Sequence, residues 1–322
     1  MSIEIIIPTC NPDQKFDRLI VKLMSQSVKP DSIMLINTKT DKCDREILEK
    51  RIKRIERKNR ILDDSRIDMR ILDIKPENFD HGGTRRFAAS LSKADYMVFM
   101  TQDAIPADDY LLERLLLPFT KDDVAAVYAR QLPSVNAGIV ESFTRLYNYP
   151  EKDCIKTKDD IKTLGIKAYF LSDVCAAYNR KAYEAAGGFV KHTIFLEDMI
   201  IASEFLKNGF KIAYASNAKV IHSHSYTPKQ QFKRNFDLGV SHKQYEKIFD
   251  DVPPAGEGMR LVMKTFEFLK GQGMYLAIID LFINSAAKFM GYSLGRHYSM
   301  LPHFIVRKCT GNQTYFDRMW KA

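Results

Sequence analysis

The chain has 322 residues, 45% of them hydrophobic and 28% charged, with a formal net charge of +9. This excludes a disordered or fibrous protein and supplies a sizeable core for one large domain with an appendage, or for two. The positive balance favours anionic partners, but nucleic acid is not expected: there is no zinc-ligand spacing, no aromatic RNP-like strand and no basic recognition helix.

Cys10, Cys43, Cys154, Cys175 and Cys309 are scattered, odd in number and form no CxxC, which points to a reducing compartment without disulfides. The N-terminus enters a strand at once, so a secretory signal is not expected. Residues 3–7 are β-branched except for Glu4, as in a strand buried on both faces. The run ends at Pro8-Thr9-Cys10-Asn11-Pro12. Phe16, Leu19, Ile20, Leu23 and Met24 then predict a helix over residues 16–25. Residues 33–36 predict a second strand, followed by a loop holding Thr38 and Asp41. Leu48, Ile52 and Ile55 face inward on a second helix, and residues 67–74 alternate as a third strand. This β-α-β-α-β order argues for an α/β fold with a mostly parallel, doubly wound sheet. Its loops with Thr9 and Asp41 should share one edge.

Residues 79–89 read Phe-Asp-His-Gly-Gly-Thr-Arg-Arg-Phe-Ala-Ala. Gly82 and Gly83 before a helix allow close backbone approach to a ligand, and a helix N-terminus attracts anions. Arg85 could meet a base or a phosphate with its planar fork. An ordinary loop-to-helix turn produces the same pattern. Residues 96–101 predict a buried strand that stops on Gln102-Asp103-Ala104, with Pro106 preventing its continuation. A lone carboxylate at the carboxyl end of a strand suits a divalent cation carrying a phosphorylated ligand. It equally suits a turn aspartate beside the next helix.

Three segments, IEIIIPTCN, FDHGGTRRFAA and MTQDAIPADDYL, occur in an order that resembles the inverting family 2 glycosyltransferases of the GT-A fold. The last two resemble in particular the rhamnosyltransferases of bacterial cell-wall and capsule assembly. The resemblance covers roughly residues 1–240. It implies that Asp103 holds a divalent metal, Mn2+ or Mg2+, at the second acidic position of the family's Asp-x-Asp segment; Thr101 stands at the first. It also implies that Thr9, Thr38, Asp41, Gly82, Arg85, Gln102 and Asp103 surround a nucleotide-sugar. The loop at 37–41 lacks the family's usual acidic-Gly-Ser pattern.

Residues 124–128 predict another strand, and 130–166 lack clear periodicity and are assigned to the acceptor side. Residues 169–178 are apolar except at Ser172 and Asp173. In the family, a Gly-Gly-Phe segment precedes the catalytic acidic pair; here Gly187-Gly188-Phe189 precedes Glu197-Asp198, which opens a helix ending at Asn208-Gly209. Acids in a first helical turn also simply complement the macrodipole. With the resemblance, Asp198 is the expected general base, taking the acceptor's proton in one displacement that inverts the anomeric centre. Residues 211–215 and 219–221 predict two closing strands that lead to His222-Ser223-His224, with both imidazoles on one face. The resemblance favours His224 as a metal ligand. Glu197, His222 and Arg234 are candidate acceptor or diphosphate contacts. Gln231 and Arg234 match part of the family's QxxRW segment, without its Trp.

From 226 to 322 there are 14 Lys and Arg against 8 Asp and Glu, +6 of the total +9. Two amphipathic helices, about 259–270 and 274–290, carry Phe266, Phe268, Tyr275, Phe282 and Phe289, with Lys264, Lys270 and Lys288 close by. Asp280, Asn284 and Lys288 interrupt the second, which is therefore not a membrane span. Such helices fit a membrane surface, a dimer contact or packing on the rest of the protein. The expectation is a GT-A domain at 1–225 and a helical extension at 226–322. The resemblance implies transfer of L-rhamnose from dTDP-rhamnose to a lipid-linked saccharide acceptor, in the cytoplasm at the inner face of the plasma membrane. A UDP-hexose donor, or a non-catalytic nucleotide-sugar-binding protein of the same fold, are the alternatives.

Overall fold

The computed structural model describes residues 1–59, 67–249, 252 and 256–321. The strands are β1 (Ile3–Thr9), β2 (Ser32–Thr38), β3 (Asp68–Ile74), β4 (Tyr96–Met100), β5 (Ile105–Pro106), β6 (Val124–Leu132), β7 (Cys154–Lys156), β8 (Cys175–Asn179) and β9 (Lys211–Ile221). They form one nine-stranded sheet in the order β3-β2-β1-β4-β8-β6-β9-β5, with β7 against β9. The helices before the sheet's last strand are α1 (Gln14–Met24), α2 (Arg45–Lys58), α3 (His81–Leu91), α4 (Leu111–Leu116), α5 (Ile139–Asn148), α6 (Ile161–Leu164), α7 (Arg180–Ala185) and α8 (Glu197–Lys207). After it come α9 (Pro228–Gln244), α10 (Glu246–Phe249), α11 (Glu257–Gly271), α12 (Tyr275–Arg296), α13 (His303–Cys309) and α14 (Gln313–Met319).

Strands β1 to β4 run parallel, and the isoleucines of β1 and β2 are buried on both faces of the sheet, which explains the apolar run of β1 around Glu4. The antiparallel strand β8 lies between β4 and β6. Only the end of the apolar stretch at 169–178 joins the sheet. Gly165–Tyr169 is a 3-10 turn, and Ser172 and Asp173 are left free of the ladder. The two closing strands expected at 211–221 are one strand, β9. Its register against β6 slips between Ala215 and Lys219, a bulge that keeps both halves paired.

Two features aim the site. Leu196 stands in the left-handed region at φ 71° immediately before α8, which turns Glu197 and Asp198 into the helix's first turn. Helices α9 and α12 cross at backbone contact: a Cβ on Gly295 would lie 2.0 Å from the Phe236 carbonyl oxygen, and one on Gly291 2.2 Å from that of Phe232. Only glycine permits this approach, and it fixes the rotation of α12. The C-terminal helices bury Phe236, Val240, Val306 and Phe316 around Ile194 of the loop before α8. Among the described residues no helix is long and apolar enough to cross a membrane.

Candidate active site

Asp103 follows β4, and His222 and His224 follow β9, so two segments distant in the chain meet at one sheet edge. His224 Nε2 lies 3.2 Å from Asp103 Oδ2, His222 Nε2 lies 3.6 Å from Oδ1, and the two Nε2 atoms are 2.8 Å apart. Nδ1 of His222 is 3.0 Å from Gln131 Oε1. The Gln131 amide nitrogen donates to Tyr149 Oη and, at 2.9 Å, to Ser172 Oγ. Its Oε1 therefore accepts, also from Arg145, and His222 must donate through Nδ1. That tautomer leaves Nε2 as a bare lone pair facing the carboxylate. Burial, then the charge of His224, pushes the His222 pKa down to about 2, so the ring stays neutral. A carboxylate and a bare imidazole nitrogen that converge with a second imidazole, backed by a fixed hydrogen-bond acceptor, fit a divalent cation.

The second cluster is acidic. Arg85 of α3 is 4% exposed. Its Nε is 3.1 Å from Asp173 Oδ2 and its Nη1 is 3.0 Å from Glu197 Oε1. Tyr178 Oη donates to Asp173 at 2.5 Å. Asp198 accepts from its neighbours' backbone, Met199 N at 2.8 Å and Asp173 N at 3.3 Å, and remains partly open to the cleft. Burial pushes the Asp198 pKa well up, and the charges of Glu197 and Asp173 push it further. Burial also opposes charge on Glu197, but Arg85 and His81 outweigh it and hold that carboxyl below its ordinary range. The environments thus differ: Glu197 is locked as the anion of an ion pair, and Asp198 is a carboxyl poised to take a proton.

Both clusters line one cleft of about 860 Å³, together with Arg145 of α5, Arg234 of α9, and Asp280, Asn284 and Lys288 of α12. A smaller recess of about 450 Å³ adjoins it, sharing His81, Phe195, Tyr226 and Arg234 and adding Thr38, Phe79 and Asp237. Arg234 lies over the rings of Phe195 and Tyr226, at 4.7 and 5.8 Å.

Of the residues expected from sequence, Asp103, His222 and His224 come together, as do Arg85, Glu197 and Asp198. Arg85 differs from expectation: its fork is spent on two buried carboxylates. Gly82 also has another use, because a Cβ there would lie 2.8 Å from Val190 O and from Thr193 Cγ2. Thr9, Asp41, Gly82 and Gln102 line neither cavity. Thr9 Oγ1 lies 3.4 Å from Asn37 Oδ1, and Gln102 clasps the backbone of Cys10 through both ends of its amide. Gln131 and Asp173 were not singled out as site residues. The polar break at 172–173 in an apolar run was the available signal for Asp173; Gln131 had none. Lys288, expected beside the apolar face of its helix, faces the cleft.

Residues 4–187 match the family described as Glycosyl transferase family 2. The chain belongs to this family. It is 43% identical over 251 residues to the O-antigen chain rhamnosyltransferase WbaN of Salmonella anatum, covering 77% of this chain and 79% of that protein. It is 36% identical over 321 residues to the O-antigen chain rhamnosyltransferase RfbN of Salmonella typhimurium, covering 99% and 97%. Among solved structures it resembles the mannosyltransferase PcManGT of Pyrobaculum calidifontis in complex with GDP-Man and Mn2+, with a TM-score of 0.54 at 14% identity over 99% of this chain and 87% of that one. It also resembles S. aureus TarS 1–349 in complex with UDP-GlcNAc, with a TM-score of 0.51 at 12% identity over 93% and 92%. The family 2 chain is thus a glycosyltransferase of the GT-A fold.

Proposed function

We propose that this family 2 enzyme transfers L-rhamnose from dTDP-L-rhamnose to a hydroxyl of a lipid-linked saccharide, with inversion. The observation that carries the reaction is the meeting of a partly open, proton-accepting Asp198 with the Asp103–His222–His224 cluster in one cleft. The sugar rests on the two rhamnosyltransferase relatives.

Asp103, His222 and His224 would hold a divalent cation. Bound there, it would neutralise charge on the departing diphosphate, worth several kcal/mol in the transition state. Asp198 takes the proton of the attacking hydroxyl, and Arg85, by clamping Glu197 and Asp173, keeps the base in place. The nucleoside occupies the adjoining recess beside Thr38, Phe79 and His81. Thr9, Gly82 and Gln102 then shape the loops around the donor, and Asp41 stands outside them.

The acceptor's lipid would be met at the inner face of the cytoplasmic membrane. Supporting this, Met263, Leu276, Ile279, Phe282, Ile283 and Phe289 of α11 and α12 are exposed, beside the exposed Lys264 and Lys270. Apolar burial and about 1 kcal/mol per basic residue would combine on an anionic leaflet. The chain should sediment with anionic vesicles, more weakly after neutralising Lys264 and Lys270. A concentration-dependent dimer without sedimentation would instead assign this face to a second copy.

The donor is tested by calorimetry with divalent metal present. dTDP-rhamnose should bind more tightly than UDP-glucose or UDP-N-acetylglucosamine. Tight UDP-hexose binding without dTDP-rhamnose binding would overturn the sugar assignment and leave the glycosyltransferase standing.

A further inference from the structure

Two cations in the cleft make no ion pair among the described residues. Lys288 on α12 is largely enclosed, and its amine has no carboxylate partner among the described residues. Burial, then the nearby charge of Arg234, pushes its pKa down. Arg234, which is exposed, lies over the rings of Phe195 and Tyr226 and has no ion-pair partner among the described residues. An enclosed cation without a counter-ion is a standing cost to the fold. Here the α9–α12 glycine contacts hold the helix in the orientation that incurs it.

Lys288 is one end of a stripe. Asn284 and Asp280 precede it at four-residue intervals, and all three line the cleft. The Asn284 amide nitrogen donates to Asp280 Oδ1 at 2.8 Å, which directs its Oδ1 away. That oxygen is buried and unpartnered. The stripe therefore offers a carboxylate, a free amide oxygen and a free ammonium. A diphosphate alone would be poorly served by the first two, since it has no protons to give them. A saccharide joined to a phosphate would be well served: its hydroxyls donate to Asn284 and Asp280, and its phosphate takes Lys288. The opposite face of the same helix exposes Ile279, Phe282, Ile283 and Phe289, so one element faces both the cleft and the apolar surface.

We propose that Asp280, Asn284 and Lys288 form the acceptor subsite, with Lys288 and Arg234 holding the phosphate that joins the acceptor saccharide to its lipid. This deepens the lipid-linked acceptor reading above and rests on it.

A phosphate could reach this pair from the acceptor or from the donor, so the test fills the donor site first. Binding of farnesyl diphosphate, a sugar-free lipid diphosphate, is measured with dTDP and Mg2+ saturating, for the full chain and for Lys288→Met, Lys288→Arg and Asn284→Leu. Separately, dTDP affinity and Tm are measured for each. Lys288→Met should weaken farnesyl diphosphate about tenfold or more, leave dTDP affinity within about twofold, and not lower Tm, because it removes an uncompensated charge. Lys288→Arg should retain most of the affinity. Asn284→Leu should leave lipid diphosphate binding alone but raise the acceptor KM in transfer. A matching loss of dTDP affinity would assign Lys288 to the donor's diphosphate and overturn the proposal. Unchanged lipid diphosphate binding, or a fall in Tm of several degrees, would overturn it as well. A wild-type chain that moves no sugar from any donor would sink the transfer reading itself. Normal transfer with an indifferent Lys288→Met would sink only this subsite.

Discussion

The backbone N–H of Asp173 donates to Oδ2 of Asp198 at 3.3 Å, so the two carboxyl groups titrate in each other's field. Burial raises the Asp198 pKa first, and the charges of Glu197 and Asp173 raise it further. The base works as a carboxylate, so transfer should fall as pH drops through that raised value. Asp173→Asn removes one negative neighbour and keeps an oxygen for Tyr178, so the acid limb of kcat against pH should move to lower pH. A limb that stays in place, or moves up, would separate Asp198 from the proton transfer.

The linked effect on stability has a definite sign. Asp173 and Asp198 both have folded pKa values above the ordinary carboxylate range. The stability they gain by protonation is complete below that range and is lost as pH rises through the raised values. Urea unfolding should therefore show a smaller loss for Asp173→Asn than for the wild type over that rise. An equal loss would mean the acidic cluster is not what titrates.

Arg85 is enclosed by Asp173 and Glu197, and removing it leaves two buried carboxylates without a counter-ion. Arg85→Met should cost about 3–5 kcal/mol in urea unfolding near neutral pH, and less at acid pH, where the carboxyls are protonated. Lys cannot span both acids with one ammonium, so Arg85→Lys should rescue little. A mild, pH-independent loss from Arg85→Met would contradict this account.

Gln131 sets the tautomer of His222 through a 3.0 Å contact. Gln131→Leu should leave the fold intact and weaken Mn2+ binding about 10- to 100-fold, read by titration. Asp103→Asn should weaken it further and collapse turnover, because it removes the one carboxylate of the cluster. Full activity of Asp103→Asn with metal present would rule out the cation site.

The parts legible in sequence were those written locally. The β-branched run of β1, the Gln102-Asp103 stop after β4 and the acids opening α8 each carry their own pattern, and their order gave the family. The ion pairs of Arg85 are not legible in sequence because its acids lie far along the chain and only the folded sheet brings them to α3. Gln131 escaped notice because a polar residue late in β6 looks like any strand end; its meaning comes from His222 across the β6–β9 ladder. The stripe on α12 was visible as a period of four, but periodicity cannot say which side of a helix meets the core. Gly239, Gly291 and Gly295 decide that by close contact, and they turn Lys288 inward.

The central claim is that Asp198 acts as the base. Single-turnover transfer from saturating dTDP-rhamnose to a lipid-linked saccharide, with donor Kd measured alongside, compares wild type with Asp198→Asn. The account predicts a rate about 10²–10⁴-fold lower with donor Kd little changed. A weakened donor Kd with an unchanged rate from the bound complex would contradict it and make Asp198 a binding residue.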